Sequence, residues 1–222
     1  MLKKIIFTAA FLGLTGLLFP QKMLFSDSWG SHGFSLPKSN TSGVTLNHSI
    51  NEFTLNKTQI NGETLTTVQL PGVFLPNDEG APDLPGSARY IAIPQGAKAT
   101  FTIVDSRKEV YQNIDIAPAS NIPIDIDSTP LYYKKDQEIY SKDEYFPNSP
   151  VIMSDPAKIR GVDVVLVGIT PFQYNPVTKE LIVYRDLKVE VTFEGGNGRF
   201  GEDRLRNEHW DRILKNIIIN SS

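Results

Sequence analysis

The segment FTLNKTQINGETLTTVQLPG, residues 53–72, carries the clearest structural signal in this sequence. Apolar and polar residues alternate on both sides of Asn61-Gly62, and a two-residue type I′ turn favours this dipeptide. The segment therefore predicts two antiparallel strands joined in a hairpin.

Similar short alternating runs, separated by turn residues, recur along the chain at 89–106, 109–118, 162–175 and 179–193. The last run has a repeat of period two, formed by Leu181, Val183, Leu187, Val189 and Val191. Turns are predicted at Pro94-Gln95-Gly96 and at Asn175–Thr178. Helical spacing occurs near the end of the chain, where one face carries Leu205, Trp210, Ile213, Leu214 and Ile217. The pattern predicts an all-β fold, an antiparallel β-sandwich or open barrel of about 8–10 short strands, with a C-terminal helix.

Length and composition indicate one globular domain. The chain has 222 residues, 40% hydrophobic, and a net charge of -3. This is enough apolar material for a core, and no basic excess indicates a nucleic-acid partner. We predict a signal peptide at 1–21, a flexible leader at 22–49, a β-sandwich at 50–195, and a glycine-rich linker with the helix at 196–222.

The N-terminus resembles a secretory signal. Lys3 and Lys4 precede an apolar run of fifteen residues, Ile5 to Phe19, which is short for a membrane span. No A-x-A cleavage tripeptide closes the run, so an uncleaved anchor is the alternative. We expect export, with no stable membrane span.

The sequence shows no catalytic or metal-binding pattern. There is no cysteine, which rules out disulfides, thiolate ligands and a Cys nucleophile in this chain. His32 and His48 lie in the predicted leader and His209 on the predicted helix, without metal-ligand spacing. Carboxylates are plentiful but are most simply solvated turn residues, and the serines lack a G-x-S-x-G elbow. We predict no enzyme activity, no metal and no cofactor.

Two regions carry a family resemblance. Residues 75–106 contain a Gly-x-Pro-x-Leu-Pro element, Gly80 to Pro85, followed by a strand, a turn and a second strand. Residues 140–191 contain Tyr145-Phe146-Pro147, Ser154-Asp155-Pro156 and the seven-residue string Gln173 to Lys179. In this order the motifs resemble the propeptides of gingipain-type cysteine peptidases.

The resemblance implies a role without catalysis. Such propeptides are β-rich domains that keep a caspase-like peptidase domain latent, assist its folding, and usually pass through type IX secretion. The catalytic His and Cys of the family belong to the following domain, so none is carried over to this chain. The implied partner is a gingipain-type catalytic domain.

The resemblance also points to an inhibitory loop. In the family this loop lies between an I-A-P element and an F-P element, here Ile116-Ala117-Pro118 and Phe146-Pro147. The stretch IAPASNIPIDIDSTP, residues 116–130, holds three prolines that favour an extended, exposed conformation. The basic residue that Arg- or Lys-specific members present aligns with Asp125, which is a departure from the pattern. The candidates for the residue offered to the specificity pocket are Asp125 with its neighbours Ile124, Ile126 and Asp127, or a shifted pair, Lys134 and Lys135.

Two alternatives stay open at this point. The chain could be a stand-alone inhibitor that acts in trans on a gingipain-type peptidase. It could also be an exported β-sandwich that binds glycan or protein through exposed aromatic residues, for which the candidates are Tyr132, Tyr133, Tyr140, Tyr145 and Phe146.

Overall fold

The computed structural model describes residues 20–73, 77–122, 130–202 and 208–221. Within these ranges the chain forms twelve strands and two helices. The strands are β1 (Gln21–Leu24), β2 (Gly33–Asn40), β3 (Gly43–Ser49), β4 (Glu52–Ile60), β5 (Glu63–Gln69), β6 (Ser87–Ala92), β7 (Ala97–Tyr111), β8 (Val151–Met153), β9 (Ala157–Ile159), β10 (Val162–Ile169), β11 (Phe172–Asn175) and β12 (Glu180–Gly195). The helices are α1 (Gln137–Tyr140) and α2 (Glu208–Ile217).

The predicted all-β class with a C-terminal helix is confirmed. All strand pairs within the three sheets are antiparallel, in the orders β1-β4-β5, β6-β10-β8 and β11-β12-β3-β2. In addition β9 pairs with β10, and β7 pairs with β12. The strands are more numerous than expected, and β7 and β12 are long, at 15 and 16 residues.

The β7–β12 ribbon joins the two halves of the core. Toward its C-terminal end, β12 contributes Leu187, Val189 and Val191 to an apolar cluster that also contains Val165 and Val167 of β10. Its first residues, Leu181 and Val183, belong to a second cluster with residues of β4 and β11. The period-two repeat read from the sequence is therefore the buried face of one strand that serves two clusters.

Local turn chemistry follows the sequence closely. Asn61 and Gly62 both have positive φ, 51° and 82°, as a type I′ turn requires. The Pro94–Gly96 turn is closed by the Ala97 amide, which donates to the Pro94 carbonyl at 2.9 Å. This turn does not make a hairpin, because β6 pairs with β10 whereas β7 pairs with β12.

The helix α2 packs on the sheet that contains β6 and β10. Leu214 and Ile218 are buried against Ala92, Val162 and Val164. The chain after the helix continues along β6, where the Ile219 amide donates to the Tyr90 carbonyl at 2.9 Å. The prediction of a packing helix is confirmed for these residues, while Leu205 lies outside the described part of the chain.

The prediction of a flexible leader at 22–49 is wrong. β1 pairs with β4, β2 pairs with β3, and β3 pairs with β12. Val44 and Leu46 are 3% and 0% exposed. Thr45 and Ser49, which belong to the polar composition that suggested mobility, are themselves only 8% and 1% exposed in β3, so composition alone misled the prediction. The ordered domain thus begins well before residue 50; of the predicted signal peptide, all but Pro20 and Gln21 lies outside the described residues.

Candidate functional site

Two limbs flank the candidate loop, of which residues 123–129 lie outside the described part of the chain. We call residues 116–122 the first limb and residues 130–136 the second limb. Ser120 forms an antiparallel bridge with Tyr133. The Asn121 amide donates to the Tyr132 carbonyl at 3.2 Å, and the Tyr132 amide donates to Asn121 Oδ1 at 2.8 Å. The two limbs are therefore paired at their base.

The first limb is fixed by backbone hydrogen bonds on both sides. On one side, the Thr66 amide of β5 donates to the Asp115 carbonyl at 2.6 Å, and the Ala117 amide donates to the Thr66 carbonyl at 2.9 Å. On the other side, the Ala119 amide donates to the Ala81 carbonyl at 2.8 Å. Ile116 is fully buried between these contacts. A proline-containing segment thus receives strand-like support without belonging to a central strand.

Gly80 ties the two limbs together. Its amide donates to the Ala119 carbonyl at 3.0 Å, and its carbonyl accepts from the Asp136 amide at 2.9 Å. Its φ is 81°, and a Cβ at this position would lie 2.8 Å from the Lys134 carbonyl oxygen. Only glycine fits both the left-handed backbone and the close approach. The Gly-x-Pro-x-Leu-Pro element is consequently the clamp at the base of the candidate loop.

A charged cluster holds the second limb. Lys135 Nζ lies 2.8 Å from Glu63 Oε2 and 3.8 Å from Asp115 Oδ1, and it sits 5.5 Å from the centre of the Tyr140 ring. Asp115 also pairs with Lys179 at 2.8 Å, and this carboxylate raises the pKa of Lys179. These side chains are partly exposed, so each ion pair adds little stability by itself, but together they fix the direction of the limb.

The predicted pocket residues differ in how the structure places them. Ile124, Asp125, Ile126 and Asp127 lie outside the described residues. Lys134 is exposed on the second limb. Lys135 is engaged in the charged cluster, with 25% of its side chain exposed. The two lysines are adjacent in sequence, but their surroundings are different.

The Phe146-Pro147 element anchors the chain after the loop. Its peptide bond is cis. The Phe146 amide donates to the Tyr174 carbonyl at 2.9 Å, and the Tyr174 amide donates to the Phe146 carbonyl at 2.8 Å. Ile116, before the candidate loop, and Phe146, after it, therefore both belong to or pack against the second apolar cluster.

The seven-residue string Gln173 to Lys179 has a structural role here. Asn175 Oδ1 accepts from the amides of Val177 and Thr178 at 3.0 and 3.1 Å, and Lys179 adopts a φ of 56°. This is an Asx-type turn that reverses the chain between β11 and β12. The most specific motif of the family resemblance therefore forms the end of β11 and the turn that follows it.

The aromatic candidates do not form one exposed face. Tyr140 and Phe146 pack against the second apolar cluster, and burial raises the pKa of Tyr140. The Tyr145 hydroxyl donates to Glu180 Oε2 at 3.0 Å. Tyr132 is the most open of the set, with 48% exposed. This distribution does not favour a flat aromatic platform for sugars.

A buried carboxylate that the sequence did not single out lies at a bulge in β12. Asp186 is 0% exposed and accepts from Ser49 Oγ at 2.7 Å, from the Trp29 amide at 2.9 Å and from Arg107 Nε at 2.8 Å. Its contacts pin the segment after β1 to the β7–β12 ribbon. The sequence gives little sign that Asp186 is buried. Strict alternation along β12 would bury Leu187 and turn its neighbour Asp186 to solvent, but both residues are buried.

Two further observations concern classes of site. Across the described ranges, no grouping of three or more His, Cys, Asp or Glu side chains could hold a metal ion. None of the helices in those ranges is long and apolar enough to cross a membrane.

Comparison with known proteins identifies the family. The family model described as Propeptide_C25 matches residues 33–220. Lys-gingipain of Porphyromonas gingivalis is 26% identical over 157 residues, which cover 67% of this chain and 9% of that protein. Gingipain R1 of Porphyromonas gingivalis is 30% identical over 126 residues, which cover 55% of this chain and 12% of that protein. The chain thus corresponds to a small part of the curated relatives it matches.

Solved structures share the fold. A chain from the complex of Porphyromonas gingivalis RgpB pro- and mature domains superposes with a TM-score of 0.74 at 22% identity, covering 85% of this chain and 98% of that chain. A chain from a structure on the zymogenic latency of gingipain K from Porphyromonas gingivalis gives 0.66 at 22% identity, covering 80% of this chain and 100% of that chain. The family match spans most of the sequence, and the protein belongs to the Propeptide_C25 family: it is a propeptide domain of the gingipain type, not a peptidase domain.

Proposed function

We propose that this domain keeps a gingipain-type cysteine endopeptidase latent, and assists its folding, by laying the loop between its two limbs over the active-site cleft. The observation that carries the proposal is the clamp at Gly80, because this glycine holds together the two limbs of the segment expected to reach the cleft. The relatives support it, since the gingipain K structure concerns zymogenic latency and the RgpB structure contains pro- and mature domains.

A paired base suits an inhibitor. Limbs that are fixed before binding lose less conformational entropy when the loop enters a cleft, and two prolines, Pro123 and Pro130, restrict the free chain further. An extended segment can then bind the edge of the cleft by strand addition.

We propose Asp125 as the side chain offered to the specificity pocket, with Ile124, Ile126 and Asp127 beside it. An acidic residue at this place implies a cognate pocket of positive charge. Of the shifted candidates, Lys134 ranks before Lys135, because Lys135 is already neutralised by Glu63 and Asp115.

We further propose export to the envelope or the medium of a Gram-negative bacterium. Its support is the basic and apolar N-terminus together with the family. Type IX secretion is the route that the resemblance suggests.

Substitution of the pocket candidate tests the inhibitory assignment. The full chain is added to the mature catalytic domain of its cognate peptidase, and the inhibition constant is measured for wild type, Asp125→Ala and Lys134→Ala. We expect Asp125→Ala to weaken inhibition by about 30- to 1000-fold, the usual worth of one buried anchor.

Lys134→Ala tests the shifted candidate, since Lys134 is exposed on the second limb. If Asp125→Ala inhibits like wild type while Lys134→Ala does not, the anchor is Lys134 and the Asp125 assignment is wrong.

A further inference from the structure

The Asn61 side chain reaches from the tip of one hairpin to the second limb. Asn61 and Gly62 form the turn between β4 and β5, outside both limbs. Asn61 Nδ2 nevertheless donates to the Tyr133 carbonyl, 72 positions further along the chain, at 2.7 Å. One side-chain amide thus couples the state of a hairpin tip to the hold on a limb of the candidate loop.

Asn61 is followed by glycine, and this dipeptide is prone to spontaneous deamidation. The backbone nitrogen of Gly62 attacks Cγ of Asn61, the Cγ–Nδ2 bond breaks, and ammonia leaves with the proton of the attacking nitrogen. Water then opens the cyclic imide to aspartate or isoaspartate, so the net reaction consumes water and releases ammonia without any cofactor. Glycine favours the attack because it has no Cβ beside the nucleophilic nitrogen.

The hairpin tip leaves room for this reaction. Asn61 is exposed, and a Cβ at Gly62 would meet nothing within 4 Å. The last ladder pair joins Ile60 and Glu63, so the Gly62 amide lies in the turn beyond the ladder. Such tips open locally at a low cost in free energy, which gives Asn61 the rotation that ring closure needs.

A second Asn-Gly pair, Asn197-Gly198, provides a comparison within the same chain. Asn197 Nδ2 donates to Gln95 Oε1 at 2.8 Å, and Asn197 Oδ1 accepts from the Arg199 amide at 2.9 Å. Its backbone amide also donates to the Gln95 carbonyl at 3.0 Å. Both ends of this side chain are therefore held, whereas Asn61 is held through Nδ2.

We propose that Asn61 is a site of spontaneous deamidation and that the modification releases the second limb from the β4–β5 hairpin. Both products replace the Nδ2 donor by a carboxylate oxygen, which cannot donate to the Tyr133 carbonyl and repels it. Isoaspartate also adds a carbon to the main chain, which does not fit a two-residue type I′ turn. Because ammonia is lost, the change is a one-way timer on how firmly the limb is held.

Ageing of the full chain tests the site. The protein is incubated at mildly alkaline pH, which favours loss of the backbone proton, and peptide mass spectrometry follows the amide-to-acid conversion at Asn61 and Asn197. We expect conversion at Asn61 to be about 3- to 10-fold faster, the worth of the additional hydrogen bonds that restrain Asn197. Equal rates, or faster conversion at Asn197, would overturn the assignment of the site.

Limited digestion with trypsin tests the release of the limb. Cleavage after Lys134, which is exposed on the second limb, is compared with cleavage after Lys98, which is exposed on β7. We expect Asn61→Asp and Asn61→Ala to speed cleavage after Lys134 by about 3- to 10-fold, since each removes one hydrogen bond that keeps the limb closed. Cleavage after Lys98 should be unchanged.

Asn197→Asp is the matched control, because it makes the same change at the other Asn-Gly pair and leaves the contact with Tyr133 intact. Cleavage after Lys134 in Asn61→Asp at the wild-type rate, or an equal increase in Asn197→Asp, would show that the modification does not release the limb. Neither measurement involves a peptidase, so both are independent of the latency function.

Discussion

His48 shows how one buried side chain makes the stability of this domain depend on pH. It lies in β3, is 1% exposed, and contacts the Phe34 ring edge-on at 5.0 Å. Burial lowers the pKa of His48 from 6.5 to about 4, with smaller contributions from His32 and Arg89 in the same direction and from Asp186 in the opposite one. The folded state therefore keeps this imidazole neutral at a pH where the unfolded chain would bind a proton.

His48 makes the folded domain less stable as the pH falls below 6.5. Above pH 6.5 the side chain is neutral in both states and has no influence, whereas between 6.5 and about 4 only the unfolded state is protonated. We expect the free energy of unfolding to fall over this window by on the order of 3 kcal/mol through His48 alone. Urea unfolding of wild type and His48→Phe at about pH 7.5 and about pH 4.5 measures it, since the variant lacks the titrating group. Equal losses in the two proteins would contradict the assignment.

The segment from Gly80 to Pro85 is the element on which the candidate loop depends. Gly80 contacts both limbs, and Leu84 at the other end of the motif is 1% exposed within the second apolar cluster. The motif thus connects the loop base to the core in six residues. Any displacement of Gly80 moves both limbs together.

Gly80→Ala and Gly62→Ala form a matched pair that tests this role. Both glycines have φ near 81–82°, so alanine brings similar backbone strain of about 1–2 kcal/mol at each. Only at Gly80 would the new Cβ meet a backbone atom, the Lys134 carbonyl oxygen at 2.8 Å, whereas nothing lies within 4 Å at Gly62. We expect Gly80→Ala to lower the free energy of unfolding by about 1–3 kcal/mol more than Gly62→Ala, and to weaken inhibition as well. Equal effects on stability would show that the close approach does not matter.

Elements whose signal is local were predictable from the sequence. The Asn61-Gly62 hairpin, the Asn175–Thr178 turn and the buried face of β12 follow from residue types at fixed spacing. β2 and β3 were missed because they are rich in polar residues although most of β3 is buried, and because β12, the strand that pairs with β3, is more than 130 residues away. The roles of Gly80 and Asp186 could not be predicted either, since each depends on partners brought together only by the fold.

At the scale of the whole molecule, the domain has the features of an independent folding unit. Its three apolar clusters connect the sheets and α2. The limbs are hydrogen-bonded to β5 and to the Gly80 segment of the same chain. A domain with its own core can be produced alone and added to a partner in solution. Inhibition in trans is therefore a fair test of latency in cis.

The most direct test of the central claim begins with the reading frame beyond the codon for Ser222 and the gingipain-type catalytic domain expected there. The precursor is expressed, the propeptide is separated from the catalytic domain, and peptidase activity is measured for the precursor, for the separated catalytic domain, and after this chain is added back. We predict an inactive precursor, activity on separation, and renewed inhibition on addition of the chain. A precursor as active as the separated domain, or activity that the added chain leaves unchanged, would contradict the account.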